Sequence, residues 1–410
     1  MNNIRLFFKS HFLQQVSVLF LGTGLAQCIT IASMPVLTRL YTPSQFGIYS
    51  VVFSVSSIFA VAVTLRYELS IVPADSDKKA LGLFQLCVLA TVIMGGLFIL
   101  LSLMLPEDVF KHLGLNEIEG WFTVSLLMGA AYGIMAACTA WFNRQQAYNI
   151  IARGRIFLSL IAAVIALFLG ALGHDDGLIL GQFVSSAVVA MILVSFVKTG
   201  SLSNIKNVAR EYSSAPKFLL PTALLDVISL QLPVIVISVY FTSEVAGQFG
   251  LAWKMLMLPV SFIGGAIGAV FFRRFSEALP NKEAARAILY KTWILLLSLG
   301  FFPTIVLLSF GSVIFEFFFG VEWVLAGEMV SVLAPMMLAV FVGSPTSVSY
   351  VSLGLQKYSL YFGLISISHR VLCLITGVLL DDFMLILWLM VVCEVVQILC
   401  YQLLALRKVR

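Results

Sequence analysis

Long apolar runs separated by short polar segments are the main pattern along this chain. A helix needs about 20 mostly apolar residues to cross a bilayer, and twelve runs reach that length. They cover residues 10–38, 40–65, 80–106, 121–143, 156–173 and 177–197, and then 218–243, 245–272, 292–315, 329–356, 358–380 and 383–406. The first run is too long for the apolar region of a signal peptide, and no small-residue cleavage site interrupts it. The pattern predicts an all-α polytopic membrane protein with twelve transmembrane helices.

The composition supports this prediction. Hydrophobic residues make up 60% of the 410 residues and charged residues only 11%, whereas a soluble domain has about 25% charged residues. So few charged residues cannot cover a surface that faces water. The composition therefore excludes an ordinary soluble protein.

The basic residues predict the orientation, because Lys and Arg are enriched in cytoplasmic loops. With the N-terminus inside, two of the 25 basic residues, Arg39 and Lys111, fall in outer loops, and two more, Lys254 and Arg370, fall within helices. The remaining 21 fall in inner segments. We therefore expect both termini in the cytoplasm. The net charge of +5 follows from this topology and does not indicate a nucleic-acid partner.

The two halves of the chain resemble each other. Residues 41–49, YTPSQFGIY, align with residues 241–249, FTSEVAGQF, with Thr, Gly and an aromatic residue at matching places. The fifth run of each half ends at paired acids, Asp175 with Asp176 and Asp381 with Asp382. We predict two six-helix lobes, residues 1–197 and 218–410, joined by a cytoplasmic linker over residues 198–217. Such repeats usually enclose a substrate site near the bilayer midplane, between the halves.

Several segments resemble a known family. The first outer hairpin, residues 35–49 (PVLTRLYTPSQFGIY), is similar to that of the O-antigen and capsule polysaccharide flippases, a branch of the multidrug/oligosaccharidyl-lipid/polysaccharide exporter superfamily. Residues 65–73 (LRYELSIVP), 143–146 (NRQQ) and 252–256 (AWKML) also resemble that branch. The resemblance implies two six-helix lobes around a central cavity that alternates between inward-open and outward-open states. It further implies a multi-pass protein of the bacterial inner membrane.

Four charged residues lie well inside predicted helices, where insertion of a charge costs about 2.5–3.5 kcal/mol and marks a functional candidate. Lys254 and Arg370 are the candidate substrate-binding residues. The resemblance implies a cargo of sugars linked to a polyprenyl pyrophosphate, and fixed cations offset the loss of hydration of that anionic group. Asp226 and Glu394 either couple an ion gradient to transport or neutralise the two cations. Arg39, at the outer end of the first helix, either contacts the pyrophosphate in the outward-open state or anchors the helix at the interface.

No catalytic constellation is visible in the sequence. The four histidines (His11, His112, His174 and His369) are scattered, and no His, Cys or Asp set has the spacing of metal ligands along the chain. The six cysteines all lie within apolar runs, which is typical of buried small hydrophobic residues. A Gly-Lys-Ser/Thr phosphate-binding loop is missing, so ATP is not expected as the direct energy source. We expect no cofactor, no metal and no enzymatic activity.

These observations favour a flippase for polyprenyl-pyrophosphate-linked oligosaccharide, such as an O-antigen repeat unit. The implied partners are that substrate, membrane lipids and a polysaccharide polymerase, and the chain is expected to be monomeric. One alternative is a cation-coupled drug antiporter of the same superfamily, although such antiporters favour acidic cavities. A second alternative is a membrane polymerase or ligase, although such enzymes carry a large outer loop that this chain lacks. The sequence leaves the sugars and any coupling ion open.

Overall fold

The computed structural model describes residues 2–197 and 205–409. All regular elements within these residues are helices, and twelve of them are long and apolar enough to cross a membrane. This confirms the prediction of an all-α protein with twelve transmembrane helices. We number these long helices α1 to α12 in chain order.

The first six long helices are α1 (Asn2–Leu40), α2 (Pro43–Val63), α3 (Asp77–Leu103), α4 (Glu119–Arg144), α5 (Tyr148–Ala171) and α6 (Gly177–Ser195). The other six are α7 (Leu220–Tyr240), α8 (Ser243–Ala278), α9 (Lys282–Phe319), α10 (Val324–Thr346), α11 (Gln356–Leu379) and α12 (Phe383–Val409). Short helical segments lie between them, at Tyr67–Ser70, Glu107–His112, Asn116–Ile118, Ile205–Glu211, Ala215–Leu219, Val321–Trp323 and Ser349–Ser352.

Large apolar side chains cover much of the outer surface of these helices. Phe302 is 72% exposed in α9, Leu379 is 78% exposed in α11, and Val92 is 63% exposed in α3. A soluble protein would lose stability by presenting such a surface to water, because apolar burial is the main driving force of folding. In a bilayer the same side chains contact lipid tails, so this surface fits a multi-pass membrane protein.

The chain divides into two compact units. The first comprises Met1–Tyr41 and Ile48–Ile235, and the second comprises Thr42–Gly47 and Val236–Arg410. These limits differ from the predicted lobes, because most of α7 belongs to the first unit. One contact that holds it there is the hydrogen bond from Ser54 Oγ in α2 to Gln231 Oε1 in α7, at 3.2 Å. Residues 198–204 of the predicted linker lie outside the described residues, and the predicted lobe limits stay a prediction.

In the first unit, α5 packs between α1 and α6, and α4 packs against α3 and α6. The short helix Ile205–Glu211 lies against α3. Its Val208 is buried, and Val208 Cγ2 lies 3.2 Å from the position that a Cβ atom on Gly82 would take. Lys79 in α3 forms ion pairs with Asp75 and with Glu211 of that short helix. The part of the predicted linker that the structure describes is therefore helical and attached to α3.

The duplicated segments meet within the second unit. A Cβ atom added at Gly47 would lie 1.8 Å from the carbonyl oxygen of Ser243, and one added at Gly247 would lie 1.8 Å from that of Pro43. Pro43 and Ser243 occupy matching positions in the aligned segments, as do Gly47 and Gly247. The contact is therefore reciprocal, as expected for two copies of one element related by a local two-fold axis. Only glycine permits so close an approach of two backbones.

The end of α9 differs from the prediction. The ninth apolar run was predicted over residues 292–315, but α9 begins at Lys282 and continues to Phe319 beyond an interruption at Phe310, whose backbone is not helical (φ −130°, ψ 16°). The following turn buries Trp323 completely, and its ring packs edge-on against Phe46, with the centroids 4.9 Å apart. The apolar residues after position 315 therefore continue the helix, and Trp323 in the turn that follows fills part of the core of the second unit.

Candidate functional site

The second unit contains a buried ion pair between α11 and α12. The guanidinium of Arg370 donates to Glu394 Oε2 from Nη2 at 3.0 Å and from Nε at 3.3 Å. Arg370 is 8% exposed and Glu394 is 7% exposed. Both charges lie in candidate membrane spans, where an unpaired charge would be strongly unfavourable. The contact is the pairing that the charge-balancing alternative requires, while the substrate and ion-coupling roles of both residues stay predictions.

Two further polar residues extend this ion pair. His369 Nε2 lies 2.7 Å from Gln397 Oε1 and 3.5 Å from Glu394 Oε2. The amide of Gln397 donates in turn to the carbonyl oxygen of Phe362, at 2.9 Å. The result is a polar cluster of His369, Arg370, Glu394 and Gln397 that links α11 and α12 well inside the spans. No role was predicted for His369 from the sequence, because its partners Glu394 and Gln397 come from a different helix.

Lys254 lies on α8 of the second unit. It is half-buried and follows Trp253, whose ring packs on Phe249 at 5.6 Å between centroids. It precedes Pro259, which lies inside the same helix. Lys254 thus lies within a candidate span, next in sequence to a residue of this aromatic pair. Its role as a substrate contact stays a prediction.

The remaining predicted residues belong to the first unit. Arg39 is exposed in the last turn of α1, and Asp226 is exposed in α7. Tyr41 follows α1 and donates from its hydroxyl to the carbonyl oxygen of Ala166 at 2.6 Å. Burial raises the pKa of Tyr41 to about 12, so the hydroxyl keeps its proton at physiological pH. This hydrogen bond fixes the end of α1 next to Arg39.

A partly buried ion pair follows α2, at a position where the sequence predicted no site. Arg66 Nη1 lies 3.0 Å from Glu68 Oε1, and Glu68 is only 4% exposed. Leu65 and Arg66 both have left-handed backbone conformations (φ 52° and 62°), which non-glycine residues adopt at a cost. Among the described residues, Glu68 Oε2 and the hydroxyl of Thr64 are buried without a hydrogen-bond partner.

Arg144 at the end of α4 holds the segment that follows this ion pair. Its Nη1 donates to the carbonyl oxygens of Ile71, Val72 and Ala74 at 3.2, 2.9 and 2.7 Å, and its Nε pairs with Asp77 at 2.9 Å. Residues 65–73 and 143–146, two of the segments that carry the family resemblance, therefore meet in the first unit. The resemblance of these two segments to the flippase family was the signal from which their contact could have been predicted.

Arg155 is a further cation for which no site was predicted. It was counted among the basic residues of the inner segments, and it lies near the start of α5, in a helix that is also a candidate span. Its Nη1 donates to Thr23 Oγ1 of α1 at 2.6 Å. The first unit also holds polar pairs within its spans, Ser54 with Gln231 and Tyr132 with Gln182. Hydroxyl and amide groups of this kind can hydrogen-bond to sugars.

Comparison with known proteins identifies a family for most of the chain. The model of a family described as polysaccharide biosynthesis protein matches residues 36–328. No curated protein matches this sequence.

Solved transporters share the fold. The structure is similar to the lipid II flippase MurJ in an inward closed conformation, with a TM-score of 0.75 and 11% identity over 96% of this chain and 87% of that chain. It is also similar to an inward-facing multidrug resistance MATE family transporter of the MOP superfamily, with a TM-score of 0.65 and 15% identity over 96% and 97% of the two chains. A MOP superfamily transporter from Pyrococcus furiosus matches with a TM-score of 0.60 and 15% identity, over 96% and 93%. At these identities the likeness shows the fold alone.

Proposed function

This chain belongs to the family of polysaccharide biosynthesis proteins, and we propose that it is a flippase for a polyprenyl-pyrophosphate-linked oligosaccharide. In this proposal it moves the oligosaccharide, such as an O-antigen repeat unit, across the bacterial inner membrane by alternating access. The proposal rests on one observation: the model of a polysaccharide biosynthesis family matches a chain whose fold is that of solved transporters. The fixed charges within the spans give the fold a means of handling an anionic head group.

The charge of the substrate explains the need for intramembrane cations. A pyrophosphate loses its hydration when it leaves water, and Lys and Arg offset that loss through charge-assisted hydrogen bonds. We assign this role to Lys254 and Arg370, and to Arg39 for the outward-open state. The polyprenyl tail remains in the lipid, so only the head group needs a polar path. Hydroxyl and amide side chains such as Ser54 and Gln231 suit the sugars.

The buried ion pair suggests how binding is linked to the conformational cycle. Arg370 is neutralised by Glu394 in this structure, so a pyrophosphate must compete with that carboxylate for the guanidinium. A ligand shifts a conformational equilibrium only through its different affinity for the two states. If the pair opens in one state, the substrate favours that state. Protonation of Glu394 would also open the pair, which is how an ion gradient would be coupled, and Asp226 is the second candidate for ion coupling.

Deletion of the gene tests the proposed function. The strain should lose the mature surface polysaccharide and accumulate single lipid-linked repeat units that stay in the inner leaflet, as measured by mass spectrometry and by enzymatic labelling from the periplasmic side. Complementation with the wild-type gene is the control. Repeat units that reach the periplasmic face without being polymerised would indicate a polymerase instead. A ligase is indicated by completed chains that stay lipid-linked. An intact surface polysaccharide together with new sensitivity to cationic drugs would indicate the antiporter.

A further inference from the structure

Next to the buried ion pair, two thiols and an imidazole lie close together in the second unit. The ligand atoms that His369, Cys373 and Cys393 offer all lie within 4.8 Å of one another. His369 and Cys373 are four residues apart on α11, so they lie on the same face of the helix. Cys393 comes from α12, which packs against α11. No metal site was expected from the sequence, because these three residues do not have the spacing of metal ligands along the chain and come together only across two helices.

The hydrogen bonds around His369 leave one ring nitrogen available. Gln397 donates its amide to the carbonyl oxygen of Phe362, which fixes Oε1 of Gln397 as the atom that faces His369 Nε2 at 2.7 Å. Because Oε1 can only accept, Nε2 carries the proton, and Nδ1 of the neutral ring carries a lone pair. Nδ1 is buried and has no hydrogen-bond partner among the described residues. Metal-binding histidines typically have this arrangement, with one nitrogen held by a neighbouring acceptor and the other free to bind.

We propose that His369, Cys373 and Cys393 form a binding site for a thiophilic divalent metal ion such as Zn²⁺. Two cysteines and one histidine are a ligand set that zinc accepts in tetrahedral geometry, with the fourth position left for water or another ligand. Soft sulfur ligands also select against Mg²⁺ and Ca²⁺, which prefer oxygen. The assignment does not depend on the proposed transport function.

The charge balance suits a site inside a membrane. Binding releases one proton from each of the two thiols, so the complex of Zn²⁺, two thiolates and a neutral imidazole has no net charge. A neutral complex avoids the cost of burying an isolated ion. It also leaves Glu394 paired with Arg370, so the metal needs no charge from that ion pair.

The geometry requires only a small closure. Zinc lies about 2.3 Å from sulfur and about 2.0–2.1 Å from nitrogen, which places the ligand atoms of a tetrahedral site roughly 3.5–3.8 Å apart. The present upper limit of 4.8 Å can be closed by rotation of the Cys side chains. The turn that joins α11 to α12 is short, from Leu379 to Phe383, and Leu385 N donates to Asp382 Oδ1 there at 3.0 Å. The hairpin thus keeps the two helices in register.

Metal titration of the purified full chain in detergent with a phosphine reductant tests the site. Co²⁺ should produce a thiolate-to-cobalt charge-transfer band that saturates at one ion per chain, and Zn²⁺ should displace it. Cys373→Ser and Cys393→Ser should each abolish the band. His369→Ala should weaken Zn²⁺ binding at least tenfold, and Gln397→Ala should weaken it by about 10- to 100-fold because the imidazole loses its orienting acceptor.

Matched controls use the exposed cysteines. Cys400→Ser on the same helix α12 and Cys28→Ser on α1 should keep the band unchanged. Cys393 is only half-buried, so its variant should fold even if the variant of the buried Cys373 does not, and size-exclusion chromatography checks this. Absence of the band in the wild-type chain, or its persistence in the folded Cys393→Ser variant, would overturn the proposal. Metal binding without a thiolate band would identify adventitious surface binding and would overturn it equally.

Discussion

Arg370 and Glu394 neutralise each other's charge within the membrane spans. Each is more than nine-tenths buried, and together they form a contact at 3.0 Å. Removing one partner of a buried pair leaves the other charge uncompensated, which typically costs about 3–5 kcal/mol. We therefore expect Glu394→Gln to lower the melting temperature of the purified protein strongly, as measured by thermal unfolding in detergent. Glu277→Gln is the matched control, because its pair with Arg273 has the same 3.0 Å distance but is largely exposed. An equal melting temperature for both variants would show that the buried pair contributes no stability.

A double variant separates the structural role of Arg370 from substrate binding. Arg370→Gln combined with Glu394→Gln removes both charges and should recover most of the stability lost in the single variant, because no lone charge remains. If either charge acts in transport, Arg370 by binding the pyrophosphate or Glu394 by ion coupling, polysaccharide complementation should still fail in the double variant. Recovery of both stability and complementation would leave Arg370 with a structural role alone.

Lys254 provides a test of charge recognition at a single residue. Lys254→Arg should retain much of the activity in a complementation assay, because it keeps the positive charge in α8. Lys254→Ala and Lys254→Glu should each lower this activity at least tenfold, while immunoblotting shows that the protein still reaches the membrane. Lys291→Ala removes an exposed lysine from α9 and should be indistinguishable from wild type. Full activity of Lys254→Ala at normal expression would remove this residue from the site.

Among the helices, the contact between the start of α2 and the start of α8 is the most sensitive to side-chain size. A methyl group at Gly47 would overlap the carbonyl oxygen of Ser243. Because that oxygen belongs to the backbone, it cannot rotate away as a side-chain atom can. We expect Gly47→Ala to cost about 1–3 kcal/mol or more, as overpacking of a close contact does, and to lower the folded yield seen by fluorescence-detected chromatography. Gly96→Ala in α3, where nothing lies within 4 Å, is the control. A normal yield for Gly47→Ala would mean that the two segments are farther apart than the structure places them.

The sequence predicted the helices well because each span is specified locally by its apolar length. It predicted less well what depends on neighbours. The continuation of α9 to Phe319 was not predicted, because Glu316 ends the apolar run, and the burial of Trp323 depends on its packing against Phe46, which is distant in the sequence. The contact between Arg155 and Thr23 was not predicted, because the two residues lie on different helices. The duplicated motif could be recognised in the sequence, but the reciprocal contact of Gly47 and Gly247 could not be predicted from it.

The same limit applied to the functional candidates. A charge within an apolar run is visible in one dimension, so Lys254, Arg370, Asp226 and Glu394 could be selected from the sequence. Which charges pair is a property of packing, and the Arg370–Glu394 contact therefore remained one of two alternatives. The cluster of His369, Cys373 and Cys393 could not be seen at all, because Cys393 is twenty residues from Cys373 along the chain and adjacent only across the α11–α12 hairpin.

At the scale of the whole molecule, the orientation in the membrane follows from the positions of the basic residues. The strong inner bias of Lys and Arg predicts that both termini face the cytoplasm, since positive loops resist translocation. Cysteine labelling in intact cells tests this in a parent whose six native cysteines are replaced by serine. Asn116→Cys and Glu244→Cys, both exposed, should react with a membrane-impermeant maleimide added from outside. Asn281→Cys and Lys357→Cys, also exposed, should react only after permeabilisation. Labelling of Glu244→Cys only in permeabilised cells would place the start of α8 inside and disprove the arrangement of six helices followed by six.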